Sequence, residues 1–78
     1  MYPTVTQLKI ADNYVLQIAF DSGERGELDM MPYLNFGVFT RLKNKDEFEK
    51  ARLSFDTVEW PCGVDLDPEF VYLKSVKI

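Results

Sequence analysis

Apolar and polar residues alternate cleanly through the start of the chain. Leu8 and Ile10 alternate with Gln7 and Lys9, and Tyr14, Leu16, Ile18 and Phe20 alternate with Val15, Gln17 and Ala19. That period of two predicts two strands. Both carry their bulky residues at even positions, and each side chain keeps its face only when the loop between them has odd length. Ala11-Asp12-Asn13 as the connection sets Ile10 against Tyr14, Leu8 against Leu16 and Thr6 against Ile18, with Asn13 left-handed. The next hairpin obeys the same parity. A Ser22-Gly23 loop would oppose Phe20 to Arg25 and Ile18 to Glu27. Asp21-Ser22-Gly23 instead opposes Leu16 to Leu28 and Ile18 to Gly26, and puts Gly23 where a turn with a bulge needs positive φ. The pattern therefore predicts a three-stranded antiparallel meander with one apolar face and one charged face bearing Arg25, Glu27 and Asp29.

The alternation stops at Met30-Met31-Pro32-Tyr33-Leu34, where Pro32 suits the first position of a single helical turn. Asn35-Phe36-Gly37 reads as a turn. Val38, Phe39 and Leu42 then recur at helical spacing, with Arg41 and Lys43 at the basic end that a helix C-terminus favours. Asn44 stands three residues before Glu47, a capping-box pattern that opens a helix through about Arg52 with Phe48 and Ala51 inward. A helix this short draws its stability from burying Phe48. Leu53-Ser54-Phe55 and Val58-Glu59-Trp60 predict a second hairpin around Asp56-Thr57, pairing Phe55 with Val58 and Leu53 with Trp60 so that four apolar groups share a face.

Past that hairpin the chain reads as specified residue by residue. Pro61 cannot donate to a ladder and ends the strand, and Gly63 supplies positive φ for a turn. Asp67 as N-cap, Pro68 at the first helical position, Glu69 in the first turn and Leu66 stapled onto Val71 open a helix whose Phe70 and Leu73 face the core. Val76-Lys77-Ile78 is a further short strand or a frayed end. The fold class is α+β, with an N-terminal three-stranded antiparallel meander, short helices, a second β-hairpin and a short C-terminal helix.

Composition narrows this picture. Seventy-eight residues form one domain, residues 1–78, and the apolar 46% suffices for a core without disulfides. One cysteine, Cys62, allows no intramolecular bridge. The chain lacks a basic-then-apolar leader and any apolar run of about 20 residues, so the expectation is a cytoplasmic protein with no membrane partner. Net charge is −4, which opposes direct nucleic-acid binding. From Leu53 to Leu73 there are five acids and no base, whereas Arg41 to Arg52 holds five bases against three acids. Such polarity steers a small basic protein partner toward the acidic side; the competing reading is ordinary solvated surface. The oligomeric state is left open.

Catalytic chemistry finds little footing. Histidine is absent, which removes the commonest general base and the partner in Ser-His and Cys-His pairs. Gly23 and Gly26 belong to a hairpin rather than a phosphate loop. Asp65 and Asp67, with Glu59 and Glu69 nearby, do not match an EF-hand, and Asp67 already serves as a cap. Cys62 reads as a turn cysteine. Trp60 reads as core rather than as an exposed platform. No catalytic, metal or cofactor residue is assigned. Glu59, Asp65 and Glu69 are the candidate partner-binding residues, while Trp60, Pro61, Gly63, Asp67 and Pro68 form a structural motif.

The stretch from Val58 to Phe70, Val-Glu-Trp-Pro-Cys-Gly-Val-Asp-Leu-Asp-Pro-Glu-Phe, resembles the signature of domain of unknown function 2442. Phe20-Asp21-Ser22-Gly23-Glu24, Leu28-Asp29-Met30-Met31-Pro32-Tyr33-Leu34, and Val38-Phe39 followed by Leu42 resemble earlier blocks of that family, so the likeness covers nearly the whole chain. Cys62 stands where the family turn has asparagine or another small polar residue. The resemblance implies a small bacterial α+β domain, sometimes fused to a helix-turn-helix segment and often encoded beside another small protein in toxin–antitoxin-like arrangements. It implies no catalytic residue. The expected function is a non-enzymatic protein-interaction module, an antitoxin-like component binding a small protein partner. The alternative is a regulatory domain associated with DNA binding supplied by another chain or segment.

Overall fold

A computed structural model of the protein describes residues 2–78. The fold is α+β. Strands β1 (Val5–Ala11), β2 (Val15–Phe20) and β3 (Arg25–Asp29) form the antiparallel meander, and β6 (Val76–Lys77) adds to the far edge of β3. Between them lie 3₁₀ segments at Met31–Tyr33 and Gly37–Lys43, helix α1 (Lys45–Phe48), the hairpin of β4 (Arg52–Ser54) and β5 (Thr57–Glu59), and helix α2 (Pro68–Lys74). Among the described residues no helix is long and apolar enough to cross a membrane.

The β2–β3 register matches the parity argument, with Leu16 opposite Leu28 and Ile18 opposite Gly26. Gly23 takes φ +92° in the connecting turn. The β1–β2 register differs from expectation by two positions: Ile10 faces Leu16 and Leu8 faces Ile18, and the loop is Asp12-Asn13-Tyr14. Asn13 is left-handed as expected, and Tyr14 is too, both at φ 62°. Tyr14 leaves the strand because its ring packs edge-on against Phe48, with centroids 5.0 Å apart, and its hydroxyl donates to the Lys43 carbonyl. A bulge at Thr6, between the pairs Val5–Phe20 and Gln7–Ala19, flips the parity of β1. Val5 and Leu8 thereby both face inward although one is odd and the other even.

Helix α1 is shorter than the capping box predicts. Asn44 does cap it, its Oδ1 accepting from the Asp46 and Glu47 amides, but the helix ends at Phe48 and β4 begins at Arg52. The Glu47 carboxylate pairs with Lys50 at 3.1 Å instead of reaching back to the cap. The second hairpin is also displaced by two positions: Leu53 faces Val58 and Arg52 faces Glu59. In the expected register Arg52 would oppose Pro61, which has no N–H to give. The observed ladder stops at Glu59 and frees the Trp60 amide to donate to the Val64 carbonyl at 2.7 Å.

Helix α2 starts as anticipated, with Asp67 accepting from the Glu69 amide at 2.8 Å and Pro68 in its first turn. Its inward residue is Val71, fully buried, while Leu73 is 57% exposed and points away from the core, against expectation. Tyr72 rather than Leu73 meets the sheet, packing edge-on to Phe20 at 5.3 Å, and Phe70 packs on Tyr33 at 5.0 Å.

Candidate functional site

The Trp60 turn is built as its sequence requires. The Trp60 indole is 1% exposed and donates through Nε1 to the Phe48 carbonyl at 2.8 Å, an acceptor at the end of α1 that it shares with the Ala51 amide at 3.2 Å. Gly63 sits at φ +97° and its amide donates to the Trp60 carbonyl at 3.0 Å, closing a turn with Pro61 at its corner. Arg41 reaches across from the 3₁₀ segment and donates to the Cys62 carbonyl at 2.9 Å. The Cys62 thiol is half-buried and free. Val64 and Leu66, both buried, carry the chain back along β5.

That return path gives Asp65, a candidate partner-binding residue, a place beside β5. The Leu66 amide donates to the Val58 carbonyl at 3.0 Å, and Glu59 and Asp65 form an isolated antiparallel bridge. The chain from Val64 to Leu66 thus runs antiparallel beside β5 through this single bridge. Arg52, Glu59 and Asp65 stand opposite one another in turn, and Arg52 Nε donates to Glu59 Oε1 at 3.1 Å. This ion pair is largely solvated and contributes little to stability.

A groove of about 510 Å³ opens here, with Ser54, Phe55, Asp56 and Thr57 on one side and Asp65, Leu66, Asp67 and Pro68 on the other, and Glu59 also lining it. Two of the three candidate partner-binding residues, Glu59 and Asp65, are brought together in it. The third, Glu69, lies outside, where its carboxylate accepts from the Tyr2 hydroxyl at 3.1 Å. That hydrogen bond, with the Glu69 charge next and then burial and Asp67, raises the Tyr2 pKa above its ordinary value. Asp67 lines the groove while its Oδ1 caps α2. Among the described residues no group of three or more cysteine, aspartate or glutamate side chains is placed to hold a metal ion.

The residue that sequence reasoning missed is Phe55. The alternation places it opposite Val58 on the apolar face of the hairpin, and it stands instead at the tip of the turn, 100% exposed, with φ +52°. Its amide-linked neighbour Asp56 is tied down, its carbonyl accepting from the Val5 amide at 3.2 Å. A bulky residue at positive φ is an outlier worth about 1–2 kcal/mol of strain, and such strain concentrates at functional sites. Alternation alone could not reveal it, because a slip of two positions preserves every facing relation inside the ladder.

Residues 5–77 match the model of a family described as protein of unknown function (DUF2442). No curated protein and no solved structure matches the chain.

Proposed function

The chain belongs to the DUF2442 family, and from that premise we propose that it is a non-enzymatic interaction module whose acidic groove receives a basic segment of a small protein partner. An antitoxin-like component working in the cytoplasm is the setting this reading fits. The observation that carries it is the pairing of a fully exposed, strained Phe55 with four carboxylates, Asp56, Glu59, Asp65 and Asp67, around one groove. An aromatic side chain beside carboxylates suits lysine and arginine. The carboxylates supply charge, and the ring face takes the aliphatic stem or the cation itself. The absence of histidine supports the non-enzymatic half of the reading.

Octalysine serves as the probe in a titration followed by amide chemical shifts. At about 10 mM salt the expected shifts centre on Phe55–Glu59 and Val64–Asp67, and they vanish at about 1 M, where the screening length falls from about 30 Å to about 3 Å. Shifts scattered evenly over the surface, or none at low salt, overturn the reading. A mobility shift of duplex DNA by the protein alone would favour the regulatory alternative over it.

A further inference from the structure

The strand pairing around Asp65 leaves an open edge. The Trp60-to-Val64 and Leu66-to-Val58 hydrogen bonds bracket the Glu59–Asp65 bridge. In an antiparallel pair of this kind the two opposed residues turn their own N–H and C=O groups away from each other. Those of Glu59 turn toward β4, where it faces Arg52. Those of Asp65 turn outward, and none of the described residues bonds them.

Opposed residues on paired segments share a face, so Arg52, Glu59 and Asp65 make one row across β4, β5 and the returning segment, positive, negative, negative. Arg52 is committed to Glu59 at 3.1 Å. The exposed Asp65 carboxylate has a like charge on one side and the open edge on the other. Like charges directly opposite destabilise a sheet and opposite charges stabilise it. The next position outward is therefore where a cation gains most. A second copy of this chain pairing antiparallel about Asp65 would set carboxylate against carboxylate, which excludes self-association as the occupant of choice.

We propose that the partner segment docks as an extended strand antiparallel to Val64–Leu66, exchanging main-chain hydrogen bonds with Asp65 and setting a lysine or arginine directly across from its carboxylate. This rests on the acidic surface around the groove being the binding site and runs the segment's backbone along the outer edge of that surface, beside the groove, with its cation against the Asp65 carboxylate that lines it. Main-chain pairing supplies affinity and the facing side chain supplies register.

The test uses the whole protein and the peptide acetyl-Val-Lys-Val-Lys-Val-amide, with two N-methylated forms. In a strand paired this way the residue opposite Asp65 gives its own N–H, so methylating the lysine amides blocks pairing whereas methylating the valine amides does not. The expected result is binding by the parent peptide with slowed exchange of the Asp65 amide. The lysine-methylated form should lose affinity at least fivefold and the valine-methylated form should stay within twofold. Asp65→Asn should weaken the parent peptide about threefold to fivefold. Equal binding by both methylated forms, an unprotected Asp65 amide, or concentration-dependent dimerisation through this edge overturns the strand proposal. Octalysine binding at the groove alongside any of these leaves the functional reading standing. Failure of octalysine and of every peptide at low salt overturns both.

Discussion

Replacing Phe55 by glycine should stabilise the protein. The Phe55 ring is 100% exposed, so its removal forfeits no burial. Its φ of +52° lies in the left-handed region, which costs an L-residue about 1–2 kcal/mol and glycine almost nothing. Asn13, Tyr14 and Phe55 are the non-glycine residues with positive φ among those described. Asp56 is therefore at negative φ, and a two-residue hairpin loop with positive φ at its first position only is the arrangement that prefers glycine there. Against the relief stands the greater chain entropy glycine loses on folding, about 0.5–1 kcal/mol. Taken at the middle of each range, the net gain is about 0.75 kcal/mol, or about 3–6 °C in Tm for a domain of this size. Thermal unfolding followed by circular dichroism measures it. Phe55→Ala is the control, because it removes the ring but keeps the Cβ that the backbone disfavours, and its Tm should stay within about 2 °C of the parent. A glycine variant that melts at or below the parent temperature refutes the reasoning. It would mean that the ring packs or that the turn is not left-handed in solution.

Four further outcomes follow from the packing. Trp60→Phe removes one of the two donors to the Phe48 carbonyl, the Ala51 amide being the other, and should lower stability by about 0.5–1.5 kcal/mol in urea unfolding. Asp67→Ala removes the acceptor of the Glu69 amide and should cost about 1 kcal/mol in the same assay, while Asp67→Asn should be close to neutral. Gly26→Ala places a Cβ 3.1 Å from Ser75 Cβ and Oγ; the overpacking should cost about 1–3 kcal/mol and speed exchange of the Ile78 amide, which donates to the Arg25 carbonyl beside it. The Tyr72 hydroxyl donates to both Glu24 oxygens at 2.9 Å, and that bond first, then burial and the Glu24 charge, raises its pKa above 10.0. The folded state therefore holds this proton more tightly than the unfolded chain, so the contribution is complete below about pH 10. It is lost as pH rises through the folded value, and Tyr72→Phe should flatten the alkaline fall in urea midpoint.

How much the residues disclosed depends on which physical constraint each element obeys. The β2–β3 register was legible because a one-residue error would have buried Arg25 or Glu27, and Gly23 independently marked the turn. The start of α2 was legible because Asp67, Pro68, Glu69 and Leu66 all act within one turn of helix. Both misplaced hairpins slipped by two positions, a shift that leaves every paired side chain on its own face, so the alternation carries no information against it. The length of α1 and the inward turn of Val71 in place of Leu73 depend on neighbours far along the chain, and local spacing does not encode them. For the site, Glu59 and Asp65 were singled out by charge alone, whereas their meeting across a bridge depends on how the Pro61-Cys62-Gly63 turn returns the chain along β5.

The two slipped hairpins differ in one respect that bears on function. Each puts an aromatic residue into left-handed backbone, Tyr14 in the first and Phe55 in the second. Tyr14 is compensated inside the molecule, by its contact with Phe48 and its hydrogen bond to the Lys43 carbonyl. Phe55 makes no such contact. Its strain can be retained for the register alone, since the alternative would separate Arg52 from Glu59, oppose Arg52 to Pro61 and occupy the Trp60 amide that closes the following turn. It can also be retained for the ring, as a contact offered to a partner. Glycine at position 55 keeps the register and removes the ring, so the two reasons come apart in one variant. A gain in Tm with unchanged octalysine affinity assigns Phe55 to the register. A gain in Tm with weakened affinity makes the ring part of the binding surface and locates the cost of binding in the turn that presents it.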